Sequence, residues 1–382
     1  VSSQKTLTLI ILEKRHLANR PNSISAVSAD DLYNISKSIK QDDKFVITCR
    51  TLIQVKQMKK RVVLCFPVTN EQVAELDACS DDIEVVNAGQ AGIADEILNA
   101  DIFVGHAKVP MPWQEVVRQG RLKWIQSSAA GLDHCLKPEV IESEIIVSSV
   151  SGLFANQVAE QTMALLFGIY RSALTFFRAY EKREFVRRPT MDFHGQTVGI
   201  IGFGGNGRRI AEVLAPWGNR ILATDKYPWD KPEYVEKLVG ADRLNEILPE
   251  IDCMILCVPL NDETQGMIQR DILTRMKPGS IIINVSRGPV INESDLIDAL
   301  HSGHLAGAGL DVVEVEPLHP TSPLWTMDNV IISPHVGAQS KYRVPDTIRF
   351  TGQNIQRYLR GEEPLNVVDK NLGYPERKKP CV

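Results

Sequence analysis

The sequence predicts an α/β fold of two doubly wound parallel-sheet domains, one inserted into the other. Three observations carry this. Short apolar, β-branched runs alternate with amphipathic helical stretches from Arg61 onward, the rhythm of parallel strands joined by crossover helices. A glycine-rich loop, with Gly202, Gly204 and Gly207 in a G-x-G-x-x-G pattern, sits between an apolar run and a helical one. Two long helical patterns, 153–180 and 340–359, bracket the second series of strands. They read as connectors that leave a first domain and return to it.

In chain order, residues 1–60 stand apart and read as an N-terminal extension. Thr6–Leu12 has strand character, and 30–40 has helical character with Asp30 near its N-cap. Regular alternation begins at Arg61. Strands are expected at 62–66, 83–86, 101–104, 122–127 and 145–148, and helices at 70–79 and 93–100. Thr69 or Asn70 is available to cap the first helix. After the first connector, strands are expected at 198–201, 220–224, 252–258, 280–285, 307–312 and 330–332. This assigns 61–152 and 340–382 to one domain and 153–339 to the inserted one.

Bulk properties exclude several classes. A net charge of −4 over 382 residues supplies no electrostatic footprint for nucleic acid or an anionic membrane. No apolar run approaches the ~18 residues of a membrane span. The seven cysteines form no compact framework. A reducing, cytoplasmic setting is expected from that usage. Cys253 and Cys257 lie in one apolar run and read as core residues rather than metal ligands, and no metal is expected.

The glycine loop is the most informative stretch. Val198–Ile201 has the branching of a buried parallel strand, and 208–214 reads as the first turns of a helix. In that setting Gly202 permits the tight turn, Gly204 lets the backbone approach a pyrophosphate, and Gly207 allows close helix–strand packing. The helix N-terminus offers N–H groups to phosphates. The next strand ends at Asp225, an acid about 20 residues beyond the glycines that suits a ribose. A dinucleotide-binding Rossmann unit is the consequence.

Three polar stations follow strands of that unit, where open α/β sheets bind ligands. Arg287 follows the strand ending near Val285. The next, 307–312, contains Asp311 and runs into Glu314 and Glu316. His335 follows Val330–Ile332. Hydride transfer to a carbonyl carbon needs a proton partner at the oxygen, a role that suits histidine. A neighbouring carboxylate fixes its tautomer and favours the imidazolium. A guanidinium holds a substrate carboxylate bidentately. His335 and Arg287 fit two of these roles, with Glu316 or Glu314 for the third.

Five ordered motifs together are similar to the D-isomer-specific 2-hydroxyacid dehydrogenase family: GFGGNG at 202–207, CVPLNDET at 257–264, NVSRGPVI at 284–291, GAGLDVVEVEPL at 307–318 and PLWTMDNVIISPHVGA at 323–338. The resemblance runs from about Arg61 to the C-terminal end. It implies a Rossmann NAD-binding domain inserted into a flavodoxin-like substrate domain, and a homodimer. It implies Arg287, Glu316 and His335 as the catalytic set, Glu316 rather than Glu314 because the family's glutamate precedes the proline of its EP motif. It further implies cofactor contacts from Gly205 and Asn206 at the pyrophosphate, and from Val258, Pro259, Thr264, Val285, Ser286, Asp311, His335 and Gly337 toward the nicotinamide end. Ala130 and Gly131, in the loop AAGLD, resemble the family's substrate-facing glycine loop, which takes the carboxylate beside Arg287. His106, Ala107 and Lys108 lie where members differ, which makes them candidates for substrate selection. Asn206 departs from the usual apolar residue at its position.

Asp225 favours NAD over NADP, because a carboxylate there accepts from ribose hydroxyls and repels a 2′-phosphate. The expected activity is reversible reduction of a 2-oxoacid to a D-2-hydroxyacid. The alternative is an NAD-sensing corepressor of the same fold, which retains the same triad.

Overall fold

The computed structural model describes residues 59–376. The strand expected at Thr6–Leu12, the helix expected at 30–40, and Cys49 and Cys381 lie outside the described residues.

The first sheet contains β1 (Lys60–Leu64), β2 (Ile83–Asn87), β3 (Ile102–Gly105), β4 (Trp124–Ser127) and β5 (Ile146–Ser148), all parallel in the order β2-β1-β3-β4-β5. Helices α1 (Asn70–Asp77), α2 (Gly89–Glu96), α3 (Trp113–Gln119) and α4 (Pro138–Glu142) connect them. Thr69 caps α1 through a reciprocal box with Gln72, which satisfies two otherwise orphaned N–H groups. Alternate residues of β1 enter opposite cores, Val62 and Leu64 on one face and Val63 on the other. Burial on both faces explains the unbroken apolar run from Val62 to Phe66.

The second sheet has seven parallel strands: β6 (Thr197–Ile201), β7 (Arg220–Asp225), β8 (Lys237–Gly240), β9 (Cys253–Leu256), β10 (Ser280–Asn284), β11 (Leu305–Leu310) and β12 (Val330–Ile332), ordered β12-β11-β10-β9-β6-β7-β8. Strand order reverses at the β6/β9 boundary, the crevice where such sheets bind dinucleotides. Helices α5 (Ala155–Tyr170) and α7 (Gly205–Leu214) cover one face, while α8 (Arg270–Leu273) and α9 (Glu293–His301) cover the other. The final helix, α10 (Arg343–Leu359), returns to the first sheet, where Ile348 and Ile355 join Val62, Leu64 and Trp124 in one core. Beyond it, Val367 bridges Ser148 and the Val368 N–H donates to the Val147 carbonyl.

The single helix expected at 153–180 is two. Between α5 and α6 (Ala173–Glu181), Ser172 adopts φ 53°, and its hydroxyl donates to the Pro189 carbonyl at 3.0 Å. Gly168 continues α5 without a break. The strand expected at 252–258 is shorter, so Val258 and Pro259 lie in the loop beyond β9. Asp311, expected inside a strand, follows β11. Strand β8 was not anticipated.

Candidate active site

Both sheets direct their carboxyl-end loops toward one cleft. At the second, the N–H of Phe203 in the glycine loop donates to Asp225 Oδ2 at 2.6 Å, and that of Tyr227 donates to Oδ1 at 2.9 Å. Asp225 thus braces the loop against the end of β7, and each carboxylate oxygen keeps a second lone pair. Gly202 has φ +95°, and a Cβ there would lie 2.8 Å from the backbone of Cys257 and Val258. Only glycine lets these two loops close together. A Cβ on Gly204 would meet open space, so the loop leaves an uncovered cradle at the N-terminus of α7. Those residues fit a dinucleotide's pyrophosphate. Gly205 abuts Gly152, where a Cβ would come within 3.0 Å. Gly207 is buried and Asn206 half-buried; nothing in the structure explains the asparagine.

The three polar stations are organised by buried neighbours. Asn284, at the end of β10, accepts at Oδ1 from the N–H and hydroxyl of Ser286 (3.0 and 2.8 Å), while its Nδ2 donates to the Arg287 carbonyl at 3.0 Å. That clamp presents Arg287, whose guanidinium bonds the Ser286 carbonyl at 2.8 Å and stands 3.4 Å from Asp133 Oδ2. A Cβ on Gly131 would collide with this guanidinium. The expected pairing of Arg287 with the 130–131 loop is therefore a direct contact between the two sheets' loops.

Asp311 is buried and holds the histidine loop. Its Oδ1 accepts from the Ser333 hydroxyl (2.7 Å) and the Val336 N–H (3.0 Å), and its Oδ2 from the Gly337 N–H (2.8 Å). Gln161 of α5 donates to the Ser333 oxygen at 2.8 Å. The backbone between is bent, with φ 55° at His335. The ring's Nδ1 lies 2.9 Å from Glu316 Oε2, which leaves Nε2 for the cleft. Glu314 faces elsewhere, accepting from the Glu293 N–H at the start of α9 at 3.0 Å.

Thr264 closes the loop after β9, donating to the Pro259 carbonyl at 2.7 Å and accepting from the Asn261 N–H. Val285 packs against the core beneath β10. On the first sheet, His106 stacks on His134 with centroids 3.9 Å apart. Ala107 is buried, whereas Ala130 and Lys108 are exposed. Burial, then the cations of Lys108 and Arg287, holds His106 below the usual imidazole range. Burial pushes His134 down to about 3.

A glyoxylate reductase of Thermococcus onnurineus is 34% identical over 263 residues, covering 66% of this chain and 78% of that protein. The model of the D-isomer specific 2-hydroxyacid dehydrogenase NAD-binding domain matches residues 163–337. The chain belongs to the D-isomer-specific 2-hydroxyacid dehydrogenase family. It is an oxidoreductase with an NAD(P)-binding Rossmann fold. A hydroxypyruvate reductase of Blautia hydrogenotrophica is 31% identical over 286 residues, covering 73% of this chain and 88% of that protein. Among solved structures, an NADPH-dependent glyoxylate/hydroxypyruvate reductase from Sinorhizobium meliloti, in complex with NADP and sulfate, is 27% identical with a TM-score of 0.71. It covers 83% of this chain and all of that one.

In this dehydrogenase, sequence reasoning missed Asn284, Ser333, Gln161 and Asp133 as parts of the site. The first two carried a signal, a polar residue at a strand end directly beside a predicted station. Gln161 carried none, since its partner lies 172 residues away; Asp133 closes the AAGLD loop, but its partner Arg287 lies 154 residues on. Lys226, adjacent to Asp225, is engaged by Glu263 at 2.8 Å.

Proposed function

We propose that this dehydrogenase reduces a 2-oxoacid to the D-2-hydroxyacid, with His335 as general acid, Glu316 as its orienting partner and Arg287 as the carboxylate clamp. The carrying observation is the His335 Nδ1–Glu316 contact at 2.9 Å, on the same sheet edge as Arg287 and the glycine loop. Arg287 receives the substrate carboxylate, with the Ala130 and Gly131 backbone beside it. This orients the carbonyl oxygen toward His335 Nε2. Glu316 accepts from Nδ1–H, so Nε2 carries the proton delivered to the oxygen. The nicotinamide cofactor, when bound, supplies the hydride. Glyoxylate and hydroxypyruvate are the first substrates to test, since relatives carry those names.

Gly202, Gly204, Gly205 and Gly207, with the N-terminus of α7, would hold the pyrophosphate, and Asp225 the adenosine ribose. NAD is the favoured cofactor: Asp225 keeps a lone pair on each oxygen for the ribose, and the adjacent Lys226 is engaged by Glu263. The division into a substrate domain (61–152 and 340–382) and an inserted cofactor domain (153–339) is supported by the return of α10 to the first sheet. A homodimer is supported by the exposed Phe177 and Tyr180 of α6.

The test is a reductive panel of 2-oxoacids with NADH and NADPH. Turnover of at least one 2-oxoacid to the D product, with kcat/KM higher for NADH, is expected. Binding of NADH without turnover of any 2-oxoacid overturns the reading in favour of an NAD-sensing role. Higher kcat/KM with NADPH overturns the cofactor assignment alone.

A further inference from the structure

Arg343 opens α10, eight residues after His335, on the segment that crosses from the second sheet back to the first. Its guanidinium is half-buried and lies 5.8 Å from the ring centroid of Phe154, the residue before α5. Among the described residues no carboxylate pairs with it. This sets it apart from other half-buried arginines. Arg61 pairs with Glu96, Arg178 with Asp328, and Arg287 with Asp133. The nearest acid along its own helix, Asp346, is engaged by Arg349 at 2.8 Å. Holding a guanidinium out of water without a counter-ion is costly, and burial accordingly lowers its pKa with no acid to oppose the shift.

The charge around the cleft is lopsided. His106 feels the cations of Lys108, Arg287 and Arg343, and the single carboxylate of Asp133. Three positive charges less one negative leave +2 around this ring. A 2-oxoacid with one carboxylate balances half of that. Lys108 likewise has no acid partner among the described residues, and its backbone N–H is held by Gln90 Oε1 at 2.7 Å.

We propose that Arg343, with Lys108, receives a second anionic group at the far end of the substrate, so that the enzyme's preferred class is 2-oxoacids carrying a distal carboxylate or phosphate. This rests on the reduction reaction proposed above. Arg287 takes the carboxylate next to the carbonyl, and Arg343 takes the distal group from the opposite domain. A dianion then ties the two domains together across the cleft, which a monoanion cannot do.

The test compares oxaloacetate and 2-oxoglutarate (distal carboxylate) and 3-phosphohydroxypyruvate (distal phosphate) with glyoxylate and hydroxypyruvate, in the native enzyme and in Arg343→Gln and Arg343→Lys. At least one dianion is expected to show a lower KM than hydroxypyruvate in the native enzyme, and the better arm identifies the distal group. Arg343→Gln is expected to lower the dianion-to-glyoxylate ratio of kcat/KM ten- to hundredfold, through KM, with Arg343→Lys restoring most of it. Parallel losses on dianions and glyoxylate would make Arg343 structural and overturn the proposal. Native turnover of glyoxylate with no dianion reduced also overturns it while leaving the general reaction intact. Absence of turnover on every 2-oxoacid, with NADH bound, fails the reaction itself.

Discussion

Gly131 is the residue on which the proposed clamp depends. Its Cα faces the Arg287 guanidinium so closely that a methyl group has no room. Arg287 is itself gripped from behind through the Asn284 contact to its carbonyl, so the side chain rather than the backbone must yield. Gly131→Ala is therefore expected to displace the guanidinium and lower kcat/KM for 2-oxoacids by about 100-fold, in line with misplacement by about 1 Å of a positioning group. NADH affinity stays within a few-fold, because the glycine loop at 202–207 is untouched. Steady-state kinetics with fluorescence titration of NADH check both halves, and an unchanged kcat/KM removes Arg287 from the clamp role. At this scale the sequence was legible as to position: Arg287, Glu316 and His335 all lie in loops beyond strands, and Glu316 rather than Glu314 meets His335. It was illegible where a residue acts on another residue. Asp311 read as a cofactor contact, with no sign that its oxygens would also hold Ser333, Val336 and Gly337 in place. Arg343 was unmarked, because what distinguishes it is the lack of an acid partner among the described residues, which only the fold reveals.

Among elements, α10 depends on one buried polar web. Trp124 Nε1 donates to Ser148 Oγ, which donates to Gln126 Oε1, and Asn354 Nδ2 donates to the same oxygen, each at 2.8 Å. Asn354 Oδ1 in turn accepts from the Leu365 N–H at 2.7 Å. Replacing Asn354 by Leu strands the Leu365 backbone and removes one of two donors to Gln126. A loss of about 2–3 kcal/mol is expected, as for buried groups left without partners. A urea midpoint within error of the native value would show that water re-satisfies these atoms. Elements read correctly where their faces are uniform. β1 and β6 are buried on both sides, so their apolar runs sufficed. The break between α5 and α6 could not be read. Apolar periodicity continues across it, no Gly or Pro marks it, and its anchor, Pro189, lies 17 residues on. Strand β8 is a half-buried edge of four residues, too short for any period to register.

For the molecule as a whole, the stacked pair His106 and His134 ties stability to pH. An unfolded histidine titrates near 6.5, whereas burial, reinforced by His106, drives folded His134 down to about 3. As pH falls below 6.5 the unfolded chain takes up a proton that the folded chain refuses. The contribution is therefore complete above about pH 6.5. It is lost progressively on acidification, approaching about 1.4 kcal/mol per pH unit, until the folded ring protonates near pH 3. His106 is lowered in the same direction, by burial first. Carboxylates contribute to acid sensitivity too, so the comparison must isolate the ring. His134→Phe keeps an aromatic surface against His106 and removes the titrating group. Urea unfolding between pH 7.5 and 4.5 is expected to give a shallower pH slope in the variant, by close to one proton at the acid end. Parallel slopes would mean that His134 takes its proton without leaving the folded state.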